Sequence, residues 1–141
     1  MKAKEYLGQA YRIDHRINSK IEQVSSLNSL ALKATTTLSD MPTSGSRNVQ
    51  RMEEIIVKIV DMESDINNDI DVLVDLKKEI SKIIQKISNL EYQTLLELRY
   101  LCFRTWEEIA INMGYSIQHT YRVNNDALKA VDKILKDESK C

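Results

Sequence analysis

Gln118, Tyr121, Arg122 and Asn125 stand at i, i+3, i+4 and i+7, the spacing that lines side chains along one face of a helix. Gln and Asn amides pair bidentately with adenine, and an Arg guanidinium pairs with guanine or with phosphate. Ile117, Ser116 and His119 flank the same face, and Lys129 continues it two turns on. The pattern therefore suits a helix that presents polar, hydrogen-bonding groups to base edges, with Arg104, Ser116, His119 and Lys129 as candidate backbone contacts. The competing reading is a helix of the same shape used only for packing. Against it, the outward positions are not the Lys/Glu mixture of an ordinary solvated face.

Such a helix needs local supports, and Thr105 to Asn125 supplies them. Thr105 is a helix cap, and Glu108 three residues later completes a capping box. Ile109 and Met113 then face inward, with Ala110 small where two helices cross. Gly114 suits a left-handed helix end, and Ser116 caps the next helix, which Thr120 and Val123 anchor. Helix, glycine turn and helix in this order predict a helix-turn-helix, whose second helix enters the major groove of duplex DNA. The stretch Leu90 to Leu101 supplies the third helix that closes the core. Trp106 is expected to pack at the start of its helix, with a phosphate contact through its indole N–H as the alternative, and Arg99 to pair with a carboxylate. His119 is read either as a phosphate contact or as a half-buried histidine.

Other chemistry finds little footing. No nucleophile with a base and an orienting residue is visible. Neither His15 nor His119 has a Cys or His at metal-ligand spacing. Asp61, Glu63, Asp65, Asp69, Asp71 and Asp75 are spread around a helix without a glycine-centred calcium loop, so they read as a solvated face. The chain is expected not to be an enzyme, with no cofactor and no metal. Two cysteines, Cys102 and Cys141, make neither a disulfide framework nor a zinc site. No run approaches membrane-spanning or signal-peptide character. A cytoplasmic protein without membrane association is expected.

The elements behind this segment are helical. Of the 141 residues, 43% are hydrophobic and 29% charged, with 3 glycines and 1 proline, too few breakers for a sheet. Ala3, Tyr6, Ala10, Ile13, Ile17, Val24 and Leu27 mark an amphipathic helix, with Lys20 falling between. Residues 35–48 are rich in Thr, Ser, Pro and Gly and read as a linker. Beyond it, Met52, Ile59, Ile66, Leu73, Ile80 and Ile87 occupy heptad position a. Ile55, Met62, Asp69, Leu76, Ile83 and Leu90 occupy position d. Asp69 has two readings: a register-setting polar residue in the seam, or a solvent-facing residue with Ile70 taking its place. Ile56, Val60, Ile70, Val74 and Ile84 widen the apolar face. The expected architecture is all-α: a helical hairpin or coiled coil over residues 1–90, which also forms a homodimer or higher homo-oligomer, then a DNA-binding domain over 91–141.

Charge qualifies the DNA reading. The chain carries a net charge of −1; residues 1–33 hold six Lys/Arg against three Asp/Glu, while 50–90 hold six against nine and 91–141 seven against eight. The basic footprint usual for phosphate binding is weak. Two modules held together by a dimer offset this through effective concentration.

The strings YQTLLELRY (Tyr92 to Tyr100), TWEEIAINMGYS (Thr105 to Ser116) and HTYRVNNDALK (His119 to Lys129) resemble region 4 of the sigma-70 family. Together with residues 46–77, they are similar to small phage proteins of Gram-positive hosts described as sigma-like or as phage transcriptional regulators. That resemblance implies binding to double-stranded promoter DNA and regulation of phage genes in the host cytoplasm, with RNA polymerase as a further partner. No stretch resembles sigma region 2, so promoter melting is not implied. The alternatives are a small terminase subunit that recognises DNA for packaging, or a polymerase-binding module that touches no DNA.

Overall fold

The computed structural model describes the backbone of residues 2–40 and 45–139, and the side chains of 2–34 and 49–139. Five α-helices follow one another: α1 (Ala3–Asp40), α2 (Gly45–Gln85), α3 (Leu90–Leu96), α4 (Trp106–Met113) and α5 (Ile117–Ser139). A π-helical turn, Glu97–Leu101, continues α3. No strand occurs among the described residues, so the class is all-α.

The two long helices reach further than the sequence suggests. The backbone is helical through residue 40 and again from residue 45, inside the expected linker at 35–48; residues 41–44 lie outside the described residues. Ser and Thr rank only a few tenths of a kcal/mol below the better helix formers, roughly 0.5 kcal/mol each. A helix already nucleated runs through them.

The chain forms two compact units, residues 14–72 and residues 1–13 with 73–141. In the first, Lys20 of α1 meets Asp69 of α2 at 2.7 Å, which makes the two helices antiparallel there. Asp69 therefore stays in the seam, with a side chain 26% exposed, and Ile70 points away at 40%. Every a and d position from Met52 to Met62 is half-buried, and Ile66 is buried. Ile56, Val57 and Val60 remain about half exposed, as two helices alone leave them.

The second unit holds the deeper core. Leu7 and Ala10 of α1, Ile80 and Ile84 of α2, Leu95 and Leu96 of α3, Ile109 of α4, and Ala127 and Val131 of α5 have no exposed surface. The α1 start is tied in as well: the Ala3 N–H donates to the Asp132 carboxylate of α5 at 2.6 Å. An anionic group there satisfies a helix-end donor and complements the helix dipole. The heptads end at Ile87, because α2 stops at Gln85 and Asn89 begins α3 by accepting from the Glu91 and Tyr92 N–H groups. Leu90, expected at a d position, is 74% exposed in consequence. The Gln93 amide turns back to donate to the Gln85 and Ile87 carbonyls and closes the end of α2.

Leu90 to Leu101 is not one regular helix. The Cys102 N–H reaches the Glu97 carbonyl at 3.0 Å, which inserts one residue per turn. Phe103 follows in the left-handed region at φ 58°. Its ring compensates by packing edge-on against Tyr11, centroids 5.8 Å apart, with the Lys77 ammonium 4.7 Å above it.

Candidate nucleic-acid interface

The α4–turn–α5 segment is built from local bonds. The Thr105 hydroxyl accepts from the Glu108 N–H at 3.2 Å and caps α4. The Glu108 carboxylate turns instead to Arg104, also at 3.2 Å, so the box is half made. Gly114 ends α4 at φ 71°, ψ 34°. A Cβ placed there would meet nothing within 4 Å, so the backbone conformation and not the space demands glycine. The Tyr115 N–H returns to the Ala110 carbonyl at 2.9 Å, and Ser116 Oγ accepts from the His119 N–H at 3.1 Å to start α5.

Burial then sorts the faces of α5. Thr120, Val123, Asn124, Ala127 and Val131 are buried. Thr120 spends its hydroxyl on the Ser116 carbonyl at 2.9 Å. Arg104, Thr105, Ser116, Ile117, Gln118, His119, Tyr121, Arg122, Asn125 and Lys129 are all exposed. The structure thus brings the ten candidate residues onto α5, its cap and the start of α4.

Several carry contacts that bear on what they can do. Tyr121 packs edge-on against Trp106 with centroids 5.2 Å apart. Trp106 in turn carries the Arg99 guanidinium 4.4 Å above its ring. Arg99 donates to the Arg104 carbonyl at 2.9 Å, so it ties the α3–α4 connection together. The expected Arg99–carboxylate pair is replaced by this stack, because the π turn swings Arg99 over the indole. Arg104 shares its charge with Glu108 in an exposed i,i+4 pair, which weakens it as a phosphate contact. His119 is exposed and lies edge-on to the Tyr115 ring at 4.6 Å, which removes the half-buried reading.

The Tyr115 hydroxyl donates to the Glu91 carboxylate, linking the α4–α5 turn to α3. That bond first, then the partial loss of water and the Glu91 charge, pushes the phenol up to about 12. A phenol held protonated in the folded state contributes stability that is complete below pH 10 and is lost as pH rises through about 12. Ultraviolet titration of the intact protein is expected to show this late phenol, and Glu91→Ala to return it toward 10. A late phenol unchanged in that variant would deny Glu91 the role. In Tyr100, burial raises the phenol, while Arg99 and a hydrogen bond to Asn124 pull the other way.

Residues 30–132 match the model of DUF1492, a protein family of unknown function. The chain belongs to the DUF1492 family. Neither the curated proteins nor the solved structures contain a match to it. All ten candidate residues of this DUF1492 chain lie inside the matched span. The sequence pattern missed Asn124, Tyr100, Lys4 and Arg12, which gather beside Tyr121 and Asn125 around one cavity. Lys4 and Arg12 belong to the basic N-terminal stretch, so part of that positive charge stands next to α5. Periodicity could flag α1 as amphipathic, but not which helix it meets. Among the described residues no group of three or more His, Cys, Asp or Glu side chains is placed to hold a metal, and no helix is long and apolar enough to cross a membrane.

Proposed function

We propose that this chain is a non-enzymatic, sequence-specific double-stranded DNA-binding regulator of transcription. In this reading α4 and α5 are a helix-turn-helix like sigma region 4, and α5 is the helix that enters the major groove. The observation that carries it is the division of α5. Gln118, His119, Arg122 and Asn125 are exposed on a helix whose opposite face, Thr120, Val123 and Ala127, is fixed in the core, and Ser116 is exposed at its cap. Hydrogen-bonding side chains on a rigid element are what base readout requires. The sigma-like strings add transcription as the process, host cytoplasm as the place, and RNA polymerase as a second partner.

A homodimer completes the proposal. Ile56 at 49%, Val57 at 60% and Val60 at 57% exposure leave an aliphatic stripe on α2 that a second copy would cover. Two modest DNA contacts then act together.

The test is selection of binding sites from random duplex DNA, followed by mobility-shift titration. Arg122→Ala is expected to weaken the selected site by about 1–3 kcal/mol if Arg122 reads a base. Unchanged affinity would remove it from the interface. Light scattering should give a dimer; a ring of about eight subunits would move the reading to DNA packaging. Absence of DNA binding at every salt concentration, with polymerase still retained, would replace DNA by protein as the target.

A further inference from the structure

Beside the exposed face of α5, the unit of residues 1–13 and 73–141 contains a cavity of about 680 Å³. That is the size of a small-molecule site. Four elements wall it: α1, the π turn, α4 and the middle of α5. On the α1 side it is bordered by Lys4 and Arg12, with Gly8 between them contributing no side chain. Arg99 adds a third cation, against Glu5 as the acid in the lining. This excess of positive charge occurs in a chain whose net charge is −1. Trp106 and Tyr121 supply flat aromatic surface, already arranged edge-to-face.

The floor is the most telling part. Asn124 lines the cavity yet is only 7% exposed. One end of its amide meets the Tyr100 hydroxyl at 3.2 Å. For the other end no hydrogen-bond partner exists among the described residues. Turning the amide over exchanges the ends without supplying the missing partner. A buried amide with half its capacity unspent is costly in a packed core. It is well placed as a ligand contact.

We propose that this cavity is a binding site for a small anion bearing an aromatic ring. The anionic group is held by Arg12 and Lys4, the ring lies against Trp106 and Tyr121, and the Asn124 amide completes the contact. A mononucleotide and an aromatic carboxylate share this chemistry. The site stands apart from the DNA reading. Its consequence does rest on that reading: Tyr121 and Asn125 line the cavity and belong to the proposed interface, so occupancy would alter DNA affinity.

The intact protein provides its own reporter, since Trp106 is the single tryptophan. Adenosine monophosphate, guanosine monophosphate, 4-hydroxybenzoate and inorganic phosphate would each be titrated while Trp106 emission and melting temperature are followed. A saturable emission change with a rise in melting temperature is expected for a ring-bearing anion, and none for phosphate alone. Which ring-bearing anion responds separates the two sources. Arg12→Glu, at an exposed position, should weaken binding by about tenfold or more, and Lys4→Glu should act in the same direction. No response to any ring-bearing anion at millimolar concentration, equal binding in both variants, or an equal response to phosphate alone would overturn the site. Binding without any change in DNA affinity would leave the site standing and remove only its link to DNA.

Discussion

Leu7→Ala is expected to destabilise the protein by about 2–5 kcal/mol, the range for a fully buried leucine. Leu7 has no exposed surface, and it belongs to the unit formed by residues 1–13 and 73–141. The control is Leu32→Ala on the same helix, where 71% exposure predicts a change within about 0.5 kcal/mol. Trp106 emission during urea unfolding reads the outcome. If residues 91–141 folded by themselves, the Trp106 transition would stay in place when Leu7 is truncated. A large shift is expected instead, because α1 closes the core that α3, α4 and α5 leave open. Deleting residues 1–13 should abolish the cooperative Trp106 transition. A sharp transition retained in that deletion would support a domain boundary near residue 90.

The burial of Leu7 among residues far along the chain has no local signal in the sequence. Thr105, Gly114 and Ser116 were legible because their bonds close within five residues, at Glu108, Ala110 and His119. The heptad seam was legible because its period is local too, and it holds up to Ile87. Leu90 broke the pattern, since a helix end set by Asn89 and Gln93 outweighs one more apolar residue in register. The contacts that define the second unit have no local trace. Ala3 and Asp132 lie 129 residues apart, and Tyr100 and Asn124 lie 24 apart. Asn124 reads in sequence as one more polar residue on α5, and only burial reveals it as a floor. The π turn escaped as well, because the apolar spacing of Leu95, Leu96 and Tyr100 carries no mark of the i→i+5 backbone bond from Cys102 to Glu97. Its effect is nevertheless large: it sets Arg99 over Trp106 and turns Phe103 toward Tyr11.

The Lys20–Asp69 pair should behave as a coupled unit. Asp69→Ala leaves a largely buried ammonium unpaired, and Lys20→Ala leaves a carboxylate in the seam. Each is expected to cost roughly 1–3 kcal/mol, below the value for a fully buried pair because water still reaches side chains 18% and 26% exposed. Replacing both by leucine should recover the loss or exceed it, since an apolar pair carries no desolvation penalty. A double-mutant cycle by chemical denaturation isolates the coupling; a value near zero would reduce the pair to a chance contact. The pair also constrains how copies can associate. A polar residue at a coiled-coil core position commonly sets register between chains, but Asp69 is already engaged by Lys20 of its own chain. In the proposed dimer a second copy would use the stripe beside the seam, at Ile56, Val57 and Val60. Ile56→Lys with Val60→Lys should yield monomers in light scattering with little change in melting of the hairpin, whereas the double leucine variant at 20 and 69 should remain dimeric. Monomers from the leucine variant instead would place the dimer contact at the seam itself.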